Sequence, residues 1–279
     1  MWTQITLEVP DDLKDAVVGE LSDDGVAGVW DDATRLVLYF APNADLQNVE
    51  RRLRDIFERA HVALPQISRC VVEDCDWTEE WKKSYTSFAI GNDFFVIPSW
   101  VDSPVPVGRL PIRIDPGQAF GTGTHETTQL TMELLERWVE PHHLVLDVGT
   151  GSGILALASR LLGARQVVAC DIDPIAVQVA TANIARNNEP EVWTFCGSVD
   201  AIAGGTIHLL LGNLTADVIL ALFEEFNRIL ARSGLAIFSG ILNEQREDVF
   251  DTCRKFRFAI HEEMARGEWL AFVVQKHGA

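Results

Sequence analysis

Apolar residues fall at two spacings along this chain, and the change between them marks where one architecture gives way to another. Residues 3–9 alternate apolar with polar, as a half-buried strand does. Asp11 and Asp12, following Pro10, open a helix expected to run to about Leu21. Residues 25–30 and 35–40 read as two strands across an Asp-Asp-Ala-Thr turn. Asp45 begins a second helix, with Leu46, Val49, Leu53, Ile56 and Phe57 at helical spacing, and residues 67–72 return as a strand. This β-α-β-β-α-β order predicts a small ferredoxin-like α+β domain over residues 1–73. It holds no glycine loop and no cluster of catalytic residue types, so recognition or docking is its expected task.

Residues 74–112 read as a linker with lead-in strands. Trp77 and Trp81 are four apart and share one face of a helix, which suits packing better than ligand binding. Residues 94–97 and 110–114 look like short strands on either side of the proline-rich stretch 98–104. From residue 144 onward strands and helices alternate. Strands are expected at 144–148, 166–170, 191–195, 207–212, 235–239, 256–261 and 269–275, with helices near 153–162, 174–187, 216–231 and 243–254. Seven strands alternating with helices predict a doubly wound α/β domain over 113–279.

Within that domain, Val145-Leu-Asp-Val-Gly-Thr-Gly-Ser-Gly153 is a buried strand that ends in an acid and runs into a three-glycine turn before a helix. Glycines admit positive φ and close ligand approach, and the free N–H groups of the helix start point into the same space. A second apolar run ends in Asp171 about twenty residues on, the position that binds ribose hydroxyls in nucleotide-cofactor folds. Asp173, followed by Pro174, reads instead as a helix cap.

The glycines alone do not choose the cofactor. Counted from Gly151 and Gly153, with Ala156 third, they satisfy the looser dinucleotide pattern. Asp147 weighs the other way: a carboxylate entering the turn repels a pyrophosphate and suits a phosphate-free ligand bearing a positive sulfonium and amine. The turn is therefore expected to hold S-adenosylmethionine through Asp147, Gly149, Gly151, Gly153 and Asp171. Asn213, ending the fourth strand, is expected beside the cofactor, orienting an amine with its amide oxygen. Phe120 sits in a Gly/Thr loop upstream, read as a lid that positions the reacting groups. His125 is either a base or a hydrogen-bonding residue at the helix start. No general base and no metal ligand set is assigned.

Composition narrows the partners. The 47% hydrophobic and 23% charged shares are those of a globular protein, and no apolar run is long enough to span a bilayer. The net charge of −18 speaks against a nucleic-acid footprint and is compatible with a basic protein partner. Five cysteines without a Cys-x-x-Cys pair, and no signal-peptide pattern at the start, give a cytoplasmic protein as the expectation, with Cys170 and Cys196 as buried thiols. A monomer is the default.

Taken in order, Asp115-Pro-Gly-Gln-Ala-Phe-Gly-Thr-Gly-Thr-His-Glu-Thr-Thr128, Leu146-Asp-Val-Gly-Thr-Gly-Ser-Gly-Ile-Leu155, Asp171-Ile-Asp-Pro174 and Gly212-Asn-Leu214 resemble the ribosomal protein L11 methyltransferases (PrmA). Asp76-Trp-Thr-Glu-Glu-Trp-Lys82, Pro98-Ser-Trp100, Ser239-Gly-Ile-Leu242 and Gly267-Glu-Trp269 extend the likeness over nearly the whole chain. The resemblance implies a Rossmann-like class I methyltransferase domain behind a ferredoxin-like substrate-recognition domain. It further implies methylation, by S-adenosylmethionine, of lysine side chains and the N-terminal α-amine of a large-subunit ribosomal protein. Cofactor contacts are implied at Thr128, Gly149, Asp171 and Asn213. Glu126 stands where the family usually has proline, and Thr215 replaces a usual apolar residue, both bordering the expected methyl position.

Overall fold

The structure, a computed structural model, describes residues 2–10, 13–14, 17–18, 21, 26–32, 35–42, 44–60, 62–72, 85–115, 119 and 121–277. The chain divides into two units, Met1–Trp81 and Lys82–Ala279.

In the first unit, β1 (Trp2–Glu8), β2 (Val26–Asp32), β3 (Arg35–Phe40) and β4 (Ser68–Val72) form an antiparallel sheet in the order β2-β3-β1-β4. That is the ferredoxin-like order expected from the β-α-β-β-α-β pattern. Helix α1 (Leu46–Arg59) is capped by Asp45, whose Oδ1 accepts the N–H groups of Gln47 and Asn48 at 3.1 Å. Its apolar stripe of Val49, Leu53, Ile56 and Phe57 packs with Ile5, Leu7, Leu36, Leu38 and Phe40 of the sheet. Of the expected first helix, Leu13, Lys14, Val17, Val18 and Leu21 are described and helical. Trp77 and Trp81 lie outside the described residues.

The second unit holds two sheets. β5 (Phe88–Ile90), β6 (Phe94–Pro98) and β7 (Leu110–Ile114) make a small sheet, with β5–β6 antiparallel and β6–β7 parallel. Ile90, Phe94, Val96, Ile112 and Ile114 lie in the same buried cluster as the helices below, so these strands belong to the core of this unit. A linker reading of 74–112 does not capture that.

The large sheet comprises β8 (Leu144–Val148), β9 (Gln166–Asp171), β10 (Val192–Cys196), β11 (Ile207–Asn213), β12 (Leu230–Leu242), β13 (Phe258–Arg266) and β14 (Trp269–Lys276). Its order is β10-β9-β8-β11-β12-β14-β13, and only β14 runs against its neighbours. Helices α2 (Glu126–Trp138), α3 (Ile154–Leu161) and α4 (Pro174–Arg186) contribute buried residues to one core cluster, and α5 (Ala216–Ile229) and α6 (Arg246–Lys255) to the other. The chain moves outward from β8 through β9 to β10, then returns to the other side of β8 with β11. The crevice beyond the carboxyl ends of β8 and β11 is therefore the topological switch point, where ligands bind in open α/β sheets.

Asn183 of α4 and Asn187, its C-cap, dock β7 beside that crevice. Asn187 accepts the N–H of Arg113 at 2.8 Å and donates to its carbonyl at 2.7 Å. Asn183 does the same for Asp115 (2.9 and 3.0 Å) and also donates to the Ser152 carbonyl at 2.8 Å. The fully buried Asn183 thus ties the Gly/Thr loop's root to the glycine turn. Cys170 is buried as expected, but Cys196 is exposed, because it ends the edge strand β10, which only β9 covers.

Candidate functional site

A cavity of about 920 Å³ opens at the switch point. Gly149 and Gly151 line it from the β8 turn, Asp171 and Ile172 from the end of β9, Gly197 and Ser198 from the end of β10, and Asn213 from the end of β11. His125 and Thr127 at the start of α2 and Trp269 at the start of β14 close another side.

The glycine turn is built as its sequence requires. Gly149, Gly151 and Gly153 have φ of 70°, 54° and 84°, a region that costs other residues about 1–2 kcal/mol. A Cβ on Gly149 would stand 2.5 Å from Leu214 Cδ2, so a side chain there would push the Leu214 side chain aside as well as strain the backbone. On its far side, Leu214 donates its N–H to the Ser239 carbonyl at 3.0 Å. A Cβ on Gly240 would meet the Leu214 carbonyl oxygen at 2.4 Å. The Asn213–Leu214 corner is wedged between two glycines.

The acids divide the work. Asp171 Oδ2 accepts the Gly151 N–H and Oδ1 the Asp173 N–H, both at 3.0 Å, which fixes the carboxylate at the cavity wall. Asp173 caps α4, accepting the Ile175 N–H at 2.8 Å. Asp147 does not reach the cavity. It is 1% exposed and accepts the Thr150 hydroxyl at 2.6 Å through Oδ2, while Oδ1 meets no donor in good hydrogen-bond geometry among the described residues. Burial pushes its carboxyl up to about 6, against the lowering effect of the Thr150 hydrogen bond. Its carboxyl lies beneath the turn rather than at the cavity wall.

Other expected site residues stand behind the wall. Gly153 is the N-cap of α3, close against Ala180. Thr128 is fully buried, and its Oγ1 accepts from Asn213 Nδ2 at 3.4 Å. Donation through Nδ2 leaves the amide oxygen of Asn213 as the acceptor an amine requires. Phe120 lies outside the described residues, but the stretch that follows it is tied down at each of residues 121–124. Ser152 Oγ donates to the Gly121 carbonyl at 2.6 Å, the Tyr85 hydroxyl to that of Thr122, and Gln129 Nε2 to those of Gly123 and Thr124 at 3.3 and 3.1 Å.

His125 is the N-cap of α2. Its Nδ1 accepts the Thr127 N–H at 3.3 Å and lies 2.8 Å from the Thr127 hydroxyl. A ring that accepts at Nδ1 carries its proton on Nε2, so His125 stands here as a donor rather than a base. Its edge meets Trp269 with ring centroids 5.1 Å apart. Thr127, Ile172, Trp269 and the α5 residues Asp217 and Val218 escaped the sequence reading as wall residues. The Gly267-Glu-Trp269 run was the one signal that pointed to the tryptophan.

A seven-stranded sheet of this order, with one reversed strand, a turn of three positive-φ glycines and a strand-end acid beside one cavity, defines a class I methyltransferase. The family model for ribosomal protein L11 methyltransferase (PrmA) matches residues 2–277, and the chain belongs to that family. It is 33% identical to the ribosomal protein L11 methyltransferase of Streptococcus thermophilus, over 99% of this chain and 96% of that protein. The same-named protein of Caldicellulosiruptor saccharolyticus is 32% identical, over 99% of both. Among solved structures, the ribosomal protein L11 methylase of Lactobacillus delbrueckii subsp. bulgaricus is similar with a TM-score of 0.65 and 34% identity, covering 69% of this chain and all of that one.

Proposed function

We propose that this chain is an S-adenosylmethionine-dependent protein N-methyltransferase that modifies ribosomal protein L11 at lysine side chains and the N-terminal α-amine. Family membership from residue 2 to 277 carries the reading. The cavity fits the cofactor: Gly149 keeps the floor clear of a side chain, and no lysine or arginine is among the described wall residues to hold a phosphate. Asp171 would hold the ribose hydroxyls, the exposed Ile172 would cover the base, and the Gly149–Gly151 turn and Asn213 would hold the methionine end. The first unit would present the substrate protein, and the enzyme would act as a cytoplasmic monomer without contacting nucleic acid.

When bound, S-adenosylmethionine supplies a sulfonium methyl that passes to the amine nitrogen, leaving the C–S electron pair on sulfur while the ammonium proton goes to water. The chain's own work is to strip water from the amine and hold its nitrogen. Neutralising a lysine at pH 7 costs roughly 4–5 kcal/mol, against about 1 for an α-amine. Positioning of the reacting atoms offsets this, at up to about 7–11 kcal/mol in favourable cases. Asn213, fixed by Thr128 and by the wedged Leu214 corner, is the positioning acceptor.

Incubating the purified chain with methyl-labelled S-adenosylmethionine and L11 should place label on L11, with mass spectrometry locating the amines. Label on a different protein's lysines would retain the chemistry and reject this substrate. Asp171→Ala should weaken cofactor binding by roughly ten- to a hundredfold, since it removes a charged acceptor and leaves two N–H groups unpaired. Unchanged affinity in calorimetry would refute the ribose role.

A further inference from the structure

The cavity wall has a lopsided charge balance. Its described residues include three carboxylates, Asp171, Asp173 and Asp217, and no lysine or arginine. Two of the three are committed: Asp171 to the N–H groups of Gly151 and Asp173, and Asp173 to the cap of α4. Asp217 pairs with no described residue. It lies in the first turn of α5, four residues beyond Asn213, and its neighbours in the wall, Val218, Ala221 and Leu222, are apolar. An acid in a first helical turn gains from the macrodipole, but that gain does not require it to face a cavity.

We infer that Asp217 is the specificity-determining carboxylate that draws the protonated amine of the substrate protein into the cavity beside Asn213. The inference rests on the methyltransferase reading above. A lysine reaches the site as an ammonium ion, and an apolar wall repels it unless an anion meets it. Among the described wall residues, Asp217 is the carboxylate with both oxygens uncommitted. The same attraction has a kinetic cost. Stabilising the ammonium favours the form that cannot attack, so Asp217 tightens ground-state binding without helping the chemical step.

The experiment uses the full chain, S-adenosylmethionine and intact L11, comparing wild type with Asp217→Asn and Asp217→Glu. Asp217→Asn should raise KM for L11 about three- to tenfold, the modest size reflecting solvent screening of an exposed charge. Its kcat should hold or rise, the Kd for S-adenosylmethionine should not move, and Asp217→Glu should restore KM. Added salt should raise the wild-type KM more than the variant's. An unchanged KM with only a lower Tm would overturn the proposal and leave a helix-start acid. A rise confined to the cofactor Kd would overturn it as well, assigning the carboxylate to the cofactor. If wild type transfers nothing to L11, the underlying reading fails and takes this one with it, whereas normal transfer with an unmoved KM refutes Asp217 alone. Calorimetric cofactor binding by each variant establishes that it is folded.

Discussion

The two ends of strand β8 carry titratable side chains four residues apart, and burial drives them in opposite senses to opposite ends. At the amino end, His143 is buried, and burial, reinforced by His142 and His208, lowers its pKa against the raising effect of Glu140. The neutral ring accepts the Glu140 N–H at 3.2 Å, and His208 accepts the Leu144 N–H at 3.3 Å. Glu140, His142 and His143 bring donor atoms within 4.8 Å of one another, the composition of a metal site. Acceptance at Nδ1 puts the proton of His143 and of His208 on Nε2, so neither ring offers an ion a lone pair while those bonds stand. Polar groups here close on one another. At the carboxyl end they are left open: among the described residues Asp147 Oδ1, beneath the turn, meets no hydrogen-bond donor in good geometry, and Asp217 lines the cavity without a partner. Polar groups at one end of the sheet are satisfied by the fold, and at the other they are not.

The largest break in that comparison is Asp147→Asn. The carboxyl titrates at about 6 in the folded chain and near 3.8 when exposed, so the folded state holds the extra proton between those values. Stability from this group is therefore highest below pH 4 and is lost as pH rises through 6, by about 3 kcal/mol. Urea unfolding between pH 4 and 7.5 should show that downward slope in wild type relative to Asp147→Asn, in which it is absent. The same variant should bind S-adenosylmethionine more weakly above pH 6, where the buried charge is lost. Parallel slopes would show that Asp147 ionises as an exposed acid does.

A pair of glycine substitutions sharpens the contrast next. Gly149 (φ 70°) and Gly163 (φ 100°) are both left-handed, but a Cβ on Gly149 strikes Leu214 while one on Gly163 meets nothing within 4 Å. Each change to alanine should cost about 1–2 kcal/mol of stability from backbone strain. Only Gly149→Ala should also displace the Asn213–Leu214 corner and cut methyl transfer well beyond its stability loss. Equal kinetics in the two variants would detach that corner from the reaction.

The carboxyl end was the more legible in sequence, because a turn of three glycines between two strand-end acids has few other uses. The strands at 144–148, 166–170 and 207–212 appear almost as patterned, since continuous apolar runs bounded by glycine or acid leave little freedom. β12 was expected at 235–239 and begins at Leu230, directly after α5. The helix before it was expected to run to 231, but α5 stops at Ile229, Leu230 pairs with Ile207 and the strand bends at Ser233 (φ 62°). β5 went unseen because three residues carry no period. Asp147 was read as facing the ligand; alternation along β8 places it under the turn instead, a distinction that residue types cannot make. Asp217 and Trp269 come from other segments and meet the cavity only through the sheet's order.

The smallest expected effect belongs to the amino end. His143→Phe keeps a ring of similar shape but leaves the Glu140 N–H without its acceptor, at about 1 kcal/mol. The sign of the pH dependence is opposite to that of Asp147. A histidine held below its ordinary 6.5 contributes stability that is present above that value and is lost as pH falls through its folded pKa. Glu140, His142 and His208 all act on the ring, so the readout is the difference between wild type and variant rather than the curve itself. Unfolding midpoints between pH 5 and 7.5 should fall with acid more steeply in wild type than in His143→Phe, with KM and kcat at pH 7.5 unmoved. A change in either kinetic constant would mean that the amino end of the sheet takes part in the site, and the division between the two ends would not hold.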